Sequence, residues 1–181
     1  MVATAYDAKI DGIYYNFSGN NAMVTHQKYS NGVYTSDYSG TVVIPSTVTY
    51  SGKIYSVTSI GNGAFSFCNS MTDVYCYAEN IPETDSNAFE YSSIATVTLH
   101  VPEGLIEAYR TTAPWSSFKD IVALTSIHGD TNHDGKVDIA DAVAILIVMS
   151  LGEWDDAADV NGDGMVDIAD YIAILNIMAE Q

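Results

Sequence analysis

Basic residues are scarce in this chain. Six Lys and Arg face 23 Asp and Glu, leaving a formal charge of −17. Nucleic acid and anionic membrane surfaces are held by clustered Lys and Arg, so this balance argues against both as partners. Cations and positively charged proteins stay open. Cysteine is nearly absent too: Cys68 and Cys76 are too few for the disulfide framework that supplements a thin core in small secreted domains. Their place in the chain suits free thiols filling a core. Long apolar runs are missing, the longest being Ala142 to Met149. A spanning helix needs roughly 18 such residues, so no membrane span is expected. No stretch has the form of a signal peptide, so if the native protein is exported its leader is expected to have been removed here. Catalytic signatures are lacking as well: there is no HExxH, no His pair at metal spacing, no GxSxG elbow and no glycine-rich phosphate loop. Catalytic residues are therefore expected to be none, and the chain is not expected to be an enzyme.

What is present divides by composition. Residues 1–125 are rich in Tyr, Thr, Val, Ser and Gly, the composition of short strands and turns. "GIYYNF" and "AMVTHQ" around the turn "SGNN" predict a hairpin, and "GTVVIP" (Gly40 to Pro45) and "KIYSVTSI" (Lys53 to Ile60) predict further strands. The 13 tyrosines mostly alternate within such strands, which explains them without a sugar ligand. A spaced self-similarity follows. "NGAFSFCNSMTDVYCY" and "SNAFEYSSIATVTLHV" place Phe65 and Phe89 24 residues apart, and Val74 and Val97 23 apart. That period belongs to a solenoid, in which each unit buries its apolar face only against a neighbour. "VPEGLIEAYRTT" and "PWSSFKDIVAL" then predict a capping helix and a last strand.

On "VTSIGNGAFSFC", "VYCYAENIP" and "VPEGLIEAYRTTAPWSSFKDI", the segment from Gly40 to Leu124 resembles the BspA-like leucine-rich repeats of secreted and surface bacterial proteins. The resemblance implies a short repeat domain with an amino-terminal hairpin cap, presenting a recognition face to a second protein or a cell-surface ligand. It is nearly silent on which ligand.

The carboxy-terminal tail is different in kind. Residues 130–181 hold 12 of the acidic residues and a single base, Lys136. Within them "DTNHDGKVDIAD" (Asp130 to Asp141) and "DVNGDGMVDIAD" (Asp159 to Asp170) recur 29 residues apart. Oxygen donors fall at positions 1, 3, 5, 9 and 12 with Gly at 6, the way a twelve-residue loop wraps calcium. Asp130, Asn132, Asp134, Asp138 and Asp141 would supply side-chain oxygens, with Asp138 acting through a water and Asp141 through both carboxylate oxygens. Lys136 would give its carbonyl. Asp159, Asn161, Asp163, Met165, Asp167 and Asp170 repeat the set, so two calcium ions are expected. Magnesium wants a tighter octahedron, and zinc prefers nitrogen and sulfur. A plainer reading makes these acidic turns with Asp138 and Asp167 as helix N-caps. Capping, however, does not require Asp at positions 1, 3 or 5.

Neither loop has an entering helix. A loop followed by a helix, duplicated, with Asp at position 12, resembles the dockerin module of cellulosome-type assemblies over Gly129 to Ala179. The resemblance implies docking onto a cohesin module of a scaffold protein. By family position the contacting residues would be Ile139, Ala140, Leu146, Ile147 and Ser150, then Ile168, Ala169, Leu175, Asn176 and Ala179. The Lys-Arg pair familiar at positions 17 and 18 is missing, which bears on the class of cohesin. The first helix is apolar all round, which in a soluble protein calls for a second covering surface.

The expected fold class is thus two domains: a mainly-β leucine-rich-repeat solenoid with a hairpin cap over residues 1–125, and an all-α dockerin over 129–181. The expected function is that of a secreted, non-catalytic assembly protein. Two rivals stand beside it: the trailing part of a larger secreted polysaccharide- or protein-degrading enzyme, and a calcium-stabilised surface protein with no cohesin partner.

Overall fold

A computed structural model describes residues 6–124, 128–132, 136–152 and 157–180. Contacts separate two compact units, Met1–Leu124 and Thr125–Gln181.

The first unit begins with three strands that follow the turn chemistry of the sequence. β1 (Ala8–Ile10), β2 (Ile13–Ser18) and β3 (Asn21–Val24) are joined by tight turns and pair antiparallel in order. Asp11 and Gly12, both at positive φ, make the first turn. A short ribbon of β4 (Lys28–Ser30) and β5 (Val33–Thr35) intervenes before β6 (Ser39–Ile44). β7 (Thr47–Tyr50) and β8 (Lys53–Ile60) form a second hairpin, followed by β9 (Ser70–Cys76), β10 (Glu83–Thr84), β11 (Thr98–Val101), the helix α1 (Ile106–Thr111) and β12 (Asp120–Ala123).

From β3 onward the chain winds between two sheets. β3, β8 and β10 pair in parallel in one. In the other, β6, β9, β11 and β12 pair in parallel, in spatial order β12-β11-β9-β6. Inward residues of successive strands meet in register, so Val42, Val74 and Leu99 share one row. Between the sheets lies an aromatic file: Phe65 and Phe89 stack at 5.0 Å and 7°, and Trp115 meets Phe89 edge-on at 5.2 Å. All three are buried. Such rings each bury about 150–250 Å² and dominate the energetics of a core this thin.

In the second unit the described residues form two helices, α2 (Ile139–Leu151) and α3 (Ile168–Ala179). Each opens on a capping box, in which Asp138 or Asp167 accepts from the helix's first turn and Asp141 or Asp170 reaches back to the cap's backbone N–H. Gly152, at φ +66°, ends α2. Ala142, Ile145, Ala158, Val160 and Ile174 form its small core.

The fold class expected from the sequence requires correction. Among the described residues the structure is mostly β-sheet, with three short α-helices and 24% helix. It is not the sum of a leucine-rich-repeat solenoid domain and an all-α dockerin domain. A physical reason shows in the second acidic repeat: Asp159, Asn161 and Asp163 accept from nearby backbone amides and hold a loop conformation, so helix starts only at Ile168.

Candidate functional site

The second acidic loop is described throughout. Its first residue, Asp159, accepts from the backbone N–H of Asp163 (3.1 Å) and of Gly164 (2.9 Å), turning the chain back on itself. Asn161 Oδ1 accepts from Asp163 N–H at 2.8 Å, and Asp163 Oδ1 from Met165 N–H at 2.9 Å. Gly164, at φ +86°, takes the bend that a side chain would strain. Asp170 closes the loop. It is fully buried, with Oδ1 accepting from Asn161 N–H at 3.0 Å and Oδ2 from Asp167 N–H at 2.8 Å.

The first loop repeats this closure atom for atom. Asp141, also fully buried, accepts from Asn132 N–H at 3.0 Å and from Asp138 N–H at 2.8 Å. Asp130 is buried and Lys136 exposed. Asp134 and the bend residue Gly135 lie outside the described residues. Asp138 and Asp167 each accept an N–H from the residue two along, Ala140 or Ala169, at 2.7 Å. Their carboxylates thus act as helix caps, which is the plainer of the two readings of that position.

In donor chemistry the loops fit a hard cation, since Asp and Asn supply side-chain oxygens at positions 1, 3, 5, 9 and 12 and Lys136 and Met165 would give only their backbone carbonyls. Burying a carboxylate costs several kcal/mol unless it is bonded and neutralised. Asp141 and Asp170 each have two amide partners, and a cation would complete what two amides begin. Among the described residues, however, no group of three or more His, Cys, Asp or Glu side chains is gathered closely enough to hold an ion.

The ten residues expected at a partner interface are all exposed: Ile139, Ala140, Leu146, Ile147 and Ser150 on α2, and Ile168, Ala169, Leu175, Asn176 and Ala179 on α3. Ile139 is 59% exposed and Ile168 56%. Between them and the next turn stand Val143 and Ile172, equally exposed and one helical turn along, which family position alone does not pick out. The i, i+4, i+7 spacing of Ile139, Val143 and Leu146, repeated by Ile168, Ile172 and Leu175, carried that signal in the sequence. Leu151 extends the stripe on α2. The opposite faces are inward: Ala142 and Ile145 on α2, and Ile174 on α3. Among the described residues no helix is long and apolar enough to cross a membrane, so the stripes are not spans.

In the first unit Cys68 and Cys76 are buried free thiols. Burial pushes the Cys68 thiol up to about 11. A protonated, enclosed sulfur is a poor nucleophile, consistent with a packing role.

No family model matches the chain, and no curated protein or solved structure matches it either.

Proposed function

We propose that the two acidic loops bind calcium and that the helices they open dock the chain onto a partner of the cohesin kind, making it a secreted, non-catalytic assembly component. The observation that carries this reading is the duplicated closure of the loops. Asp141 and Asp170 are buried carboxylates, each bonded to two amides in the same register, and each lies in a helix that carries an exposed apolar stripe. A capping carboxylate has no need of Asp, Asn and Asp at loop positions 1, 3 and 5. A calcium loop has.

Asp130, Asn132, Asp134, Asp138 and Asp141, with the carbonyl of Lys136, would hold one ion, and the set from Asp159 to Asp170 the other. Bound calcium neutralises the crowded carboxylates and fixes where each helix begins. The exposed stripes are neutral, so the contact they offer is apolar, with affinity set by shape and area more than by ion pairs. The first unit would present a second surface, to a protein or cell-envelope ligand.

Calorimetry against a panel of recombinant cohesin modules, with calcium and with chelator, tests the docking. Binding is expected in calcium only. Because Ile139 and Ile168 occupy equivalent places, Ile139→Asp alone is expected to weaken one of two binding orientations. Ile139→Asp with Ile168→Asp is expected to abolish binding while both loops still take up calcium, since an unpaired charge buried at an interface costs several kcal/mol. No affinity in the unmodified chain, or full affinity in the double variant, withdraws the docking function.

A further inference from the structure

We infer that the free edge of β6 is a docking site for an extended peptide segment of a partner protein, neutral or basic, which joins the four-stranded sheet as an added strand. This inference is independent of the calcium reading and concerns the first unit alone.

The sheet ends differently on its two sides. At the β12 edge, Arg110 Nη2 donates to the carbonyl of Ile121 at 3.2 Å, so a side chain occupies a backbone acceptor there. At the β6 edge no such plug exists among the described residues. Tyr77 N–H donates to the Ile44 carbonyl at 2.9 Å, and Val42 and Ile44 are the register partners of Val74 and Cys76 on β9. A strand's residues send their N–H and C=O alternately to one edge and the other. The backbone groups of Thr41 and Val43 therefore point away from β9. Thr41 is exposed and Val43 half-buried.

Those groups do not face a flat, open surface. Beside them lies a groove of about 210 Å³, lined by Thr41 and Val43 together with Lys9, Asp11, Ile13 and Asp37. Natural edges are guarded by Lys, Pro, bulges or a covering element. β6 has a register shift between Gly40 and Thr41, and Pro45 follows its last residue, but Thr41 to Ile44 carry neither charge nor proline. The bulge and the proline thus stand at the two ends of the strand, and Lys9 lines the groove beside it, while Thr41 to Ile44 themselves carry no guard. The window spans two outward-facing residues, enough for a short segment.

The chemistry of the window names its occupant. Donors and acceptors repeating at about 3.3 Å per residue along an edge are matched by another extended backbone, not by a sugar or a phosphate. A second copy of this chain is disfavoured, because each carries a net charge of −17 and like-charged molecules repel. A neutral or basic segment meets no such barrier.

The test uses the full chain in calcium and a synthetic peptide, acetyl-KTVTVTK-amide, beside the same peptide N-methylated at every internal amide. In the free protein the Thr41 and Val43 amides are expected to exchange with solvent quickly, and those of Val42 and Ile44 slowly. Adding the unmodified peptide is expected to shift and protect the Thr41 and Val43 amides. Methylation removes the donors and is expected to weaken binding by about tenfold or more. Four results overturn the inference: protection of Thr41 and Val43 in the free protein, no perturbation there by the peptide, equal binding by the methylated form, or concentration-dependent protection without peptide, which assigns the edge to self-association.

Discussion

Asp73 and His100 sit side by side on the outward face of the four-stranded sheet, with His100 Nε2 and Asp73 Oδ1 3.1 Å apart and Tyr75 stacked flat on the imidazole at 4.0 Å. The His100 hydrogen bond holds the Asp73 carboxyl below its usual range, against a smaller opposing effect of burial. A carboxyl depressed in the folded state adds stability above its unfolded pKa and loses it as pH falls through the folded value. The stability difference between the unmodified chain and Asp73→Asn is therefore expected at neutral pH and should vanish in strong acid. The pair is partly solvent-screened, with Asp73 35% exposed, so the difference should stay below about 1 kcal/mol. Urea titrations of both forms at neutral and strongly acid pH measure it. An equal difference at both pH values would mean that Asp73 acts through packing.

At the scale of elements, strands rich in β-branched and aromatic residues between turn signals were the most legible. "KIYSVTSI" spans Lys53 to Ile60, the bounds of β8, although its buried residues Val57 and Ile60 lie three apart across a register shift. The β4–β5 ribbon gave no such signal: every residue of β4 is exposed, and no apolar period marks it. The phase of the repeat was half legible. Phe65 does stack on Phe89, but Val74 lies opposite Leu99 and not Val97, since Val97 ends the 3₁₀ turn Ile94–Thr96 and the strand starts one residue later. The oxygen spacing of the loops was readable because hard-cation chemistry constrains residue type at each position. The all-α class expected over 129–181 was misread, because the apolar helices Ile139–Leu151 and Ile168–Ala179 stand out in a sequence more than the loops around them. The ribbon that the sequence concealed also makes a prediction. Gly63 is at φ +63°, and a Cβ there would lie 2.3 Å from Tyr34 Cβ on β5. Gly63→Ala combines a left-handed backbone penalty of about 1–2 kcal/mol with overpacking of similar or greater size. A loss of about 2–4 kcal/mol is expected as a lower urea midpoint at unchanged slope. Gly104→Ala meets nothing within 4 Å and serves as the near-neutral comparison.

Across the whole molecule the two units have cores of very different size. The first buries 27 hydrophobic residues in one cluster, including Trp115, Tyr14, Tyr15, Tyr109 and Phe65. Among the described residues the second buries five, of which two are alanines. A core that small seldom holds a fold alone, and metals are a common supplement. The tail also crowds its charge: residues 130–181 carry 12 acids against Lys136 alone, four of those acids in each loop. Carboxylates within a few ångströms repel unless a cation stands among them, so the binding energy of calcium becomes folding energy. At a thousandfold excess over its dissociation constant one site supplies about 4 kcal/mol. Chelation is therefore expected to remove the helical signal and amide protection of α2 and α3 while β6, β9 and β11 stay protected, and added calcium is expected to restore both helices. Amide exchange followed by mass spectrometry, in excess chelator and again after calcium is returned, separates the two units peptide by peptide. Protection of α2 and α3 that is indifferent to chelator would assign the buried Asp141 and Asp170 to helix capping alone, and the calcium proposal would fall with it.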